Sequence, residues 1–429
     1  MTIYKYPDKN SWKSILTRPV MDNAVLEEKI APIFQQIKKD GDKAVRKFTA
    51  QFDKADLELF EVTGQEKYFA MNQIDPVLFD AIKLAAENIT VFHRKQIPAV
   101  EKIKTMPGVV CWRKNVPIEK VGLYIPGGTA PLFSTVLMLT IPAVLANCKE
   151  IIICSPPSPE GKIHPAIIAA AGYIGIKRIF KVGGAQAIAA MTFGTASIPK
   201  VDKIFGPGNQ YVTAAKQMAE KYGMAIDMPA GPSEVAVYAD NHSVPAFVAA
   251  DLLSQAEHGA DSQVVLVTDH EDIVTAVQQE LEKQIESLPR KEFAALALKN
   301  SKAFVVNNRI EAINLLNEYA PEHLILSCND APALAEDVIN AGSVFIGNYS
   351  PESVGDYASG TNHTLPTNGY ARTYSGVSVD SFVKKITFQQ LTAEGLDNIG
   401  DAVEKMAEAE GLRGHAEAVR VRRSGSLKK

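Results

Sequence analysis

The sequence predicts an α/β protein with two tandem doubly wound, parallel-sheet domains and a small C-terminal helical module. From residue 120 onwards, short apolar runs alternate with helix-like segments, which is the pattern of β-α repeats and a parallel sheet. The alternation starts again near residue 234, so the repeats form two units. With 429 residues, the chain is long enough for two or three domains that each bury a core.

Helices are predicted for the region before the first repeat. Two segments between residues 24 and 96, AVLEEKIAPIFQQIKKDGDKAVRKFTAQF and DPVLFDAIKLAAENITVFHRKQ, carry apolar side chains at helical spacing. An apolar stripe on each segment implies packing against a larger surface. We expect these helices to cover a sheet.

Each repeat unit has its own strands and helices. The predicted strands of the first unit are VGLYI, EIIIC, RIFKV and VDKIF. Those of the second unit are residues 234–239, QVVLVTD, KAFVV, HLILS and SVFIG. A long polar segment follows, NYSPESVGDYASGTNHTLPTNGYARTYSG, and loops of this length are usually functional or disordered. The helical pattern of residues 394–423 indicates the C-terminal module.

Composition excludes several classes of function. The formal net charge is -4 and charged residues make up 22% of the chain, a balance that does not suggest nucleic-acid binding. No stretch stays apolar for the ~20 residues that a membrane span needs, and the N-terminus lacks the pattern of a signal peptide. Cys111, Cys148, Cys154 and Cys328 form no C-x-x-C pair, which fits a reducing compartment. We therefore expect a cytoplasmic protein without nucleic-acid or membrane partners.

The first candidate site lies where a predicted helix meets a strand, in SQAEHGADSQVVLVTD. Gln255 and His258 are three residues apart, on one side of the helix and close to its end at Gly259. Both side chains offer lone pairs to a metal ion, and the negative end of the helix dipole attracts a cation. The same dipole also favours a purely structural histidine, so the pair alone leaves both interpretations open.

Glycine-rich turns follow three strands of the first unit, in YIPGGTAP, KVGGAQAIAA and IFGPGNQY. Glycine lets the backbone approach a phosphate closely, and the N-terminus of the next helix favours an anion, so a nucleotide is the natural ligand. Tyr211 stands where a third glycine would complete G-x-G-x-x-G after Gly206 and Gly208, so the usual dinucleotide motif is incomplete. Alternatively, the glycines simply end strands of an α/β fold.

The stretch NEYAPEHLILS places Glu322 beside His323, just before a predicted strand. Neighbours in a regular strand point to opposite faces, so the two side chains share a pocket only if the pair lies in the turn. There they can act as acid and base, or they form an ordinary solvated turn. Asp356 lies on the long polar segment, where ligands often occur. His415 is either a ligand or a surface residue, and the role of His363 stays open.

Motifs spread over nearly the whole chain are together more specific than any one of them. With GGAQAIAA, GPGN, AGPSEV, SQAEHG, YAPEHL, GDYASGTNHTLPT and EAEGLRGH, the chain strongly resembles the histidinol dehydrogenase family. Small departures, Thr361 in SGTNH and Gly414 before His415, replace no ligand and no acid–base residue. The resemblance implies zinc-dependent oxidation of L-histidinol to L-histidine through bound L-histidinal, using two NAD molecules, in the last steps of histidine biosynthesis.

The resemblance also implies roles for individual residues. Those matching the zinc ligands are Gln255, His258, Asp356 and His415. Those matching the substrate contacts are Ser233, Gln255, His258, His323, Asp356, Glu410 and His415. Those matching the NAD contacts at the glycine turns are Tyr124, Gln186 and Asn209. His415 is expected to come from the second subunit of a homodimer, so that two subunits share each active site.

The chemistry agrees with these roles. Two nitrogen and two oxygen ligands without a thiolate suit zinc or a similar divalent ion. Hydride loss from an alcohol needs a base for the hydroxyl proton, and an unperturbed histidine with pKa ~6.5 suits this task, so His323 is the predicted base. The aldehyde must be hydrated before the second hydride leaves, and Glu322 is predicted to take a proton from that water.

The strand pattern and the resemblance together predict four regions. Residues 1–27 form an N-terminal arm that packs with the C-terminal module. Residues 28–123 and 236–376 form the metal and substrate domain. Residues 124–235 form an NAD-binding domain with an incomplete Rossmann-like fold, and residues 377–429 form a dimerisation module.

Two rival interpretations of the sequence predict different chemistry. Aldehyde oxidation through a cysteine thiohemiacetal would make Cys111 or Cys148 the nucleophile, but neither has a histidine or cationic motif nearby in sequence. Alternatively, a non-catalytic two-lobed protein clamps a small molecule between its α/β units. Such a binding protein needs neither zinc nor the Glu322 and His323 pair.

Overall fold

The chain forms two compact units. The computed structural model describes residues 1–19, 23–127, 131–229 and 231–425. The first unit comprises Met1–Gln96 and Ile118–Phe382, and the second comprises Ile97–Pro117 and Val383–Lys429. Within the described ranges, no helix has the length and apolar character needed to cross a membrane.

Strands and helices alternate through most of the first unit, and β2, β3, β14, α16 and α17 belong to the second unit. The strands are β1 (Thr2–Lys5), β2 (Lys102–Met106), β3 (Val109–Pro117), β4 (Lys120–Tyr124), β5 (Glu150–Ser155), β6 (Arg178–Lys181), β7 (Lys203–Phe205), β8 (Ala225–Ile226), β9 (Glu234–Ala239), β10 (Gln263–Thr268), β11 (Lys302–Val305), β12 (His323–Ser327), β13 (Ser343–Ile346) and β14 (Val383–Leu391). The helices are α1 (Trp12–Ile15), α2 (Asn23–Asp40), α3 (Asp42–Phe52), α4 (Gly64–Gln73), α5 (Pro76–Arg94), α6 (Phe133–Leu145), α7 (Pro165–Ile174), α8 (Gly184–Phe193), α9 (Gln210–Glu220), α10 (Pro245–Ala256), α11 (Glu271–Ile285), α12 (Lys291–Lys299), α13 (Arg309–Tyr319), α14 (Ala331–Ala335), α15 (Glu352–Tyr357), α16 (Ala393–Ala409) and α17 (Arg413–Arg423).

A five-stranded parallel sheet carries the first set of repeats. Its order is β6-β5-β4-β7-β8, so the chain starts in the middle and builds outward on both sides. This order matches that of the first five strands in the doubly wound nucleotide-binding fold. The four predicted strands of this unit are confirmed. The fifth, β8, has two residues, too few to show a pattern in the sequence.

A six-stranded parallel sheet carries the second set of repeats. Its order is β1-β11-β10-β9-β12-β13, and without β1 this is the same order as in the five-stranded sheet. Side chains alternate between its faces, so Val237 packs in the core that contains Leu252, and Tyr238 packs in the core that contains Leu316. The prediction of two tandem doubly wound sheets is confirmed.

The N-terminal residues differ from the predicted arm. β1 pairs in parallel with β11 as the edge strand of the six-stranded sheet. Trp12 and Leu16 are buried in the core on the Tyr238 face of that sheet. This segment is part of the first unit because its apolar side chains fill that core.

The helices before the first repeat also differ from the predicted division. α2 contacts α8 and α9, and the apolar stripe Leu26, Ile30 and Phe34 shares a core with Val212 and Ala215 of α9. In the same way α4 contacts α7, and α5 contacts α6. These helices therefore cover the five-stranded sheet of the predicted NAD-binding domain, not the six-stranded sheet to which the sequence-based division assigned them.

The second unit contains an antiparallel sheet besides its predicted helices. The order is β14-β3-β2, and β14 pairs with β3 from Val383 and Pro117 to Leu391 and Val109. The predicted C-terminal helices are confirmed as α16 and α17, which pack against each other. The unit is larger than predicted because β2 and β3, which precede the first repeat, belong to it.

Candidate active site

A single cavity in the first unit brings several of the predicted site motifs together. Its volume is about 880 Å³. One end lies at the carboxyl edge of the five-stranded sheet, where Tyr124, Gln186 and Asn209 line it. The other end lies at the amino edge of the six-stranded sheet, and its lining includes Ser233, His258 and Glu322. The glycine turns and the acid–base motif, far apart in sequence, therefore face one space.

The three predicted cofactor residues lie at or just beyond the carboxyl ends of β4, β6 and β7 in the five-stranded sheet. The Tyr124 hydroxyl accepts a hydrogen bond from the Gly184 N–H at 3.1 Å, and burial raises the pKa of this phenol to about 12. The Gln186 amide donates to a carboxylate oxygen of Asp53 at 3.1 Å. Asn209 is the N-cap of α9, where its side-chain oxygen accepts two backbone N–H groups at 3.1 Å. Capping uses the oxygen of Asn209 and leaves the amide NH2 group for another contact.

A buried ion pair fixes the third glycine turn, and the sequence gives no sign of it. The Lys216 ammonium and the Asp227 carboxylate are in contact, and both side chains are buried. Lys216 donates to the carbonyl of Gly206 at 2.9 Å, and the Gly206 N–H donates to Asp227 at 2.8 Å. Gly206 has φ +130°, and a Cβ there would overlap the carbonyl of Tyr124. The pair therefore holds both polar groups of a turn that only glycine fits.

Replacing Lys216 by Met is expected to destabilise the first unit by about 3–5 kcal/mol, because it leaves the Asp227 charge buried without its partner. The measurement is the denaturant midpoint of unfolding. Lys221→Met is the matched control: Lys221 pairs with Glu27 at the surface, with exposed fractions of 58% and 53%, and its loss should cost less than about 1 kcal/mol. Equal midpoints for the two variants would show that the buried pair does not stabilise the turn.

The predicted acid–base pair lies at the junction of α13 and β12. Ala320 ends α13 in the left-handed conformation, with φ +52°, and β12 starts at His323. Glu322 therefore lies in the turn, as sharing of one pocket requires, and the two side chains approach to 3.7 Å between Oε2 and Nδ1. Glu322 lines the cavity, whereas His323 lies behind it with 3% of its surface exposed.

Glu234 orients both members of the pair through its backbone. Its N–H donates to the Glu322 carboxylate at 2.9 Å, and its carbonyl oxygen lies 3.1 Å from Nδ1 of His323. Its own carboxylate receives two hydrogen bonds from Arg18, at 2.6 and 2.9 Å. The Arg18 guanidinium stacks 3.9 Å above the Tyr319 ring. The N-terminal segment thus anchors β9, the strand next to the one that begins at His323, which no sequence pattern indicates.

Two further carboxylates face His323. Asp356 Oδ1 lies 3.3 Å from Nε2, and Glu352 Oε1 lies 4.0 Å from Nδ1. Burial alone lowers the pKa of His323, but the charges of Glu352, Glu322 and Asp356 outweigh it and hold that pKa well above its usual value. The unperturbed pKa assumed from the sequence is wrong for this environment. Burial also raises the pKa of Glu322 to about 8, against the opposing effect of His323.

The predicted metal ligands of the first unit lie around the same carboxylates. The Gln255 amide nitrogen faces Glu352 and donates to it, so its carbonyl oxygen points away from that acid. α10 ends at Ala256, so His258 lies just beyond the helix, with Nδ1 3.0 Å from the Ser254 carbonyl. Glu352, 1% exposed, was not predicted, because one buried glutamate in a polar segment carries no distinguishing pattern.

The donor atoms fit a divalent cation. Among the described residues, ligand atoms of His323, Glu352 and Asp356 all lie within 4.8 Å of one another. Oδ1 of Asp356 is buried and has only the ion-pair contact with His323, so a bound cation would give this oxygen a further partner. This cluster shares Asp356 with the predicted set and adjoins Gln255 through Glu352. Nitrogen and oxygen donors of this kind suit zinc and related ions.

His363, whose role the sequence left open, supports Asp356. Its Nδ1 lies 2.9 Å from the Asp356 carbonyl, and its Nε2 lies 3.0 Å from the Thr135 hydroxyl. Burial lowers the pKa of His363, so the neutral ring is favoured. The histidine therefore ties α6 to α15, the helix that carries Asp356.

Other predicted residues lie in the second unit or away from the cavity. Glu410 follows α16 and His415 lies in the first turn of α17, and both are exposed in the second unit. Cys111 is in β3 of that unit. Cys148 of the first unit is outside the cavity lining, and burial raises the pKa of its thiol to about 12. A thiol with that pKa is a poor nucleophile near neutral pH.

A doubly wound sheet with glycine turns shares a cavity with a buried carboxylate, Glu322, that pairs with a histidine behind it, and this combination defines an α/β enzyme. The sequence model of the family described as histidinol dehydrogenase matches residues 16–423, so the chain belongs to the histidinol dehydrogenase family of oxidoreductases. This confirms the resemblance seen in the motifs.

Individual relatives agree with the family assignment. Histidinol dehydrogenase from Bacteroides thetaiotaomicron is 56% identical over 422 residues, which cover 98% of this chain and 99% of the relative. Chloroplastic histidinol dehydrogenase from Arabidopsis thaliana is 50% identical over 412 residues, covering 95% and 88% of the two chains. The crystal structure of histidinol dehydrogenase from Elizabethkingia anophelis superimposes with a TM-score of 0.96, at 55% identity and 98% coverage of both chains.

Proposed function

We propose that the protein oxidises L-histidinol to L-histidine through bound L-histidinal, with two NAD molecules and a zinc ion. The observation that carries the proposal is the shared cavity. One end of the cavity is lined by glycine turns suited to a nucleotide, and the other end is lined by Glu322 and His258. Family membership supports the substrate, since the relatives are histidinol dehydrogenases.

The cavity supports the position of NAD at the glycine turns. Tyr124, Gln186 and Asn209 line that end, and a dinucleotide there would direct its reacting ring towards Ser233 and Glu322. Ser233 is proposed to contact the substrate. When bound, NAD accepts the hydride removed in each step and zinc holds donor atoms of the substrate.

Zinc would be held by Gln255, His258 and Asp356, with His415 of the partner subunit completing the set in a homodimer. The buried Oδ1 of Asp356, whose described contact is the ion pair with His323, supports this position. Positive charge at Asp356 would offset that carboxylate and lower the pKa of His323 towards the range of a general base. Glu410 is proposed to reach the substrate from the same second unit. Cytoplasmic location and the lack of nucleic-acid or membrane partners stay predictions.

The chain's own residues handle the protons. The first step removes a hydride from the carbinol carbon and a proton from its hydroxyl. In neutral His323, an Nδ1–H bond to the Glu234 carbonyl leaves the lone pair on Nε2, so Nε2 is the proton acceptor. In the second step, water adds to the aldehyde, and the hydrate loses a hydride and a proton. Glu322, which faces the cavity, is placed to take a proton from that water.

Product analysis tests the proposed reaction directly. Purified protein with L-histidinol and NAD should form L-histidine, measured by chromatography, with L-histidinal remaining below the enzyme concentration. Tight binding of L-histidinol without NADH or L-histidine would favour a two-lobed binding protein instead.

His415→Asn is expected to lower the zinc content of purified dimer to well below one per subunit, because an exposed amide is a poorer ligand than imidazole. Metal analysis by mass spectrometry measures this without reference to activity. His242→Asn, another exposed histidine, is the control and should retain its zinc. Full zinc content in both variants would show that the C-terminal helix is not part of the metal site.

Replacing Cys111 and Cys148 together by Ala is expected to leave turnover within about twofold of the parent, because neither thiol faces the described cavity. The measurement is kcat with saturating L-histidinol and NAD. A loss of 100-fold or more, with a normal unfolding midpoint, would revive the thiohemiacetal route.

A further inference from the structure

Asp53 places a carboxylate in the cavity that the reaction above does not use. It directly follows α3, lines the cavity and is only partly exposed. Its Oδ2 accepts the hydrogen bond from the Gln186 amide at 3.1 Å. Gln186 is 1% exposed, so this hydrogen bond is buried and holds the acid in place. A carboxylate held in this way at the nucleotide end of the cavity is positioned to contact a bound ligand.

The strand ends show which part of a dinucleotide this acid would meet. A Cβ placed on Gly183, which follows β6, would lie 3.2 Å from Oδ1 of Asp53 and would overlap Pro156, which follows β5. Asp53 therefore lies at the carboxyl ends of β5 and β6. In the order β6-β5-β4-β7-β8 these are the second and third strands of the doubly wound unit.

In doubly wound dinucleotide domains, an acid near the end of the second strand binds the adenosine ribose of NAD. Here β5 ends at Ser155 and continues with Pro156 and Pro157, so it supplies no carboxylate. Asp53 brings one to the same sheet edge from a helix outside the β-α repeats. This location explains why the sequence shows no acid at the usual place.

We propose that Asp53 binds the 2′-hydroxyl of the adenosine ribose and makes the enzyme select NAD over NADP, with Gln186 as its positioning residue. This inference rests on the proposed binding of NAD at the glycine turns. A carboxylate accepts a hydrogen bond from a 2′-hydroxyl but repels a 2′-phosphate. Burial raises the pKa of Asp53 to about 6, against the hydrogen bonds from Gln186 and Gly183, so the group is still mainly ionised at pH 7.5.

The cations of the cavity lining have contacts elsewhere. Lys29 contacts the Tyr211 hydroxyl at 3.4 Å, and Arg290 donates to the His258 carbonyl at 3.3 Å. The described partners of the Asp53 carboxylate are Gln186 and Gly183. A 2′-phosphate at Asp53 would therefore meet the negative charge of this carboxylate.

The test compares kcat/KM for NAD and NADP in the parent enzyme, Asp53→Asn and Asp56→Asn. Asp53→Asn should lower the preference for NAD over NADP by about 10-fold or more, through weaker NAD binding and relief of repulsion. Asp56, three residues later, is exposed and outside the cavity lining, so its variant should keep the parent preference. An unchanged preference in Asp53→Asn overturns the inference.

A second measurement uses NAD that lacks the adenosine 2′-hydroxyl. The parent should bind this analogue about 10-fold more weakly than NAD, and Asp53→Asn or Asp53→Ser should bind the two equally, as measured by fluorescence titration. Equal binding by the parent overturns the inference even if the variants fold poorly. Absence of NADH formation by the parent would instead count against the proposed function.

Discussion

Replacing His323 by Asn is expected to lower kcat for L-histidinol oxidation by about 10³–10⁴-fold, the upper range for loss of a general base. Both hydride steps should suffer, because each releases a proton near the same carbon. Asparagine keeps a side-chain N–H that can still face the Glu234 carbonyl, so the fold of β12 should be preserved. Steady-state NADH formation and the unfolding midpoint are the two measurements.

His270→Asn is the matched control for this result. His270 is an exposed histidine that pairs with Asp269 at 2.9 Å, and its replacement should leave kcat unchanged. If His323→Asn retained more than a tenth of the parent kcat, another group would have to be the base. A buried structural histidine would then be the better description of His323.

Replacing Glu322 by Gln is expected to change the rates of the two oxidation steps to different extents. Oxidation of the alcohol should be preserved within a fewfold, whereas oxidation of the aldehyde should slow by about 10²-fold, because only the second step needs a proton acceptor for water. Glutamine cannot ionise but can still accept the Glu234 N–H bond now made by Glu322. Single-turnover reactions started with L-histidinol or with L-histidinal separate the steps.

The contrast between the two substrates serves as the internal control of this experiment. A folding defect or loss of metal would slow both reactions, whereas the assigned role predicts a selective effect. Equal loss in both steps would contradict the division of labour between Glu322 and His323. The unusually high pKa of Glu322, about 8, also predicts that the aldehyde step gains rate as the pH rises through that value, because only the ionised acid takes a proton.

Local patterns were sufficient for the parts of the fold with regular repeats. The β-α alternation predicted both parallel sheets because each buried strand is a short apolar run between amphipathic helices. The contacts of the first helices were not predictable, since an apolar stripe such as Ile30 and Phe34 shows that a surface is buried but not which sheet receives it. β2 and β3 were missed because β2 is mostly exposed and charged residues interrupt the apolar residues of both strands.

The site was predictable where adjacent residues carry the chemistry. Glu322 and His323 are neighbours, and a turn before a strand was enough to suggest a shared pocket. The residues that tune them were not predictable, since Arg18 meets Glu234 over 216 residues and Lys216 acts on Gly206 through folding of α9. Glu352 and Asp53 become significant only through burial and neighbours, which no spacing in the sequence reveals.

The central claim is that one zinc-dependent site carries out both oxidations. The most direct test counts NADH formed per L-histidinol consumed by purified protein, before and after treatment with a chelator. We expect two NADH per L-histidinol. Removal of the metal should abolish activity, and added zinc should restore both the activity and the ratio of two. No NADH from metal-replete protein, or a ratio of one that persists when L-histidinol is exhausted, would contradict this claim.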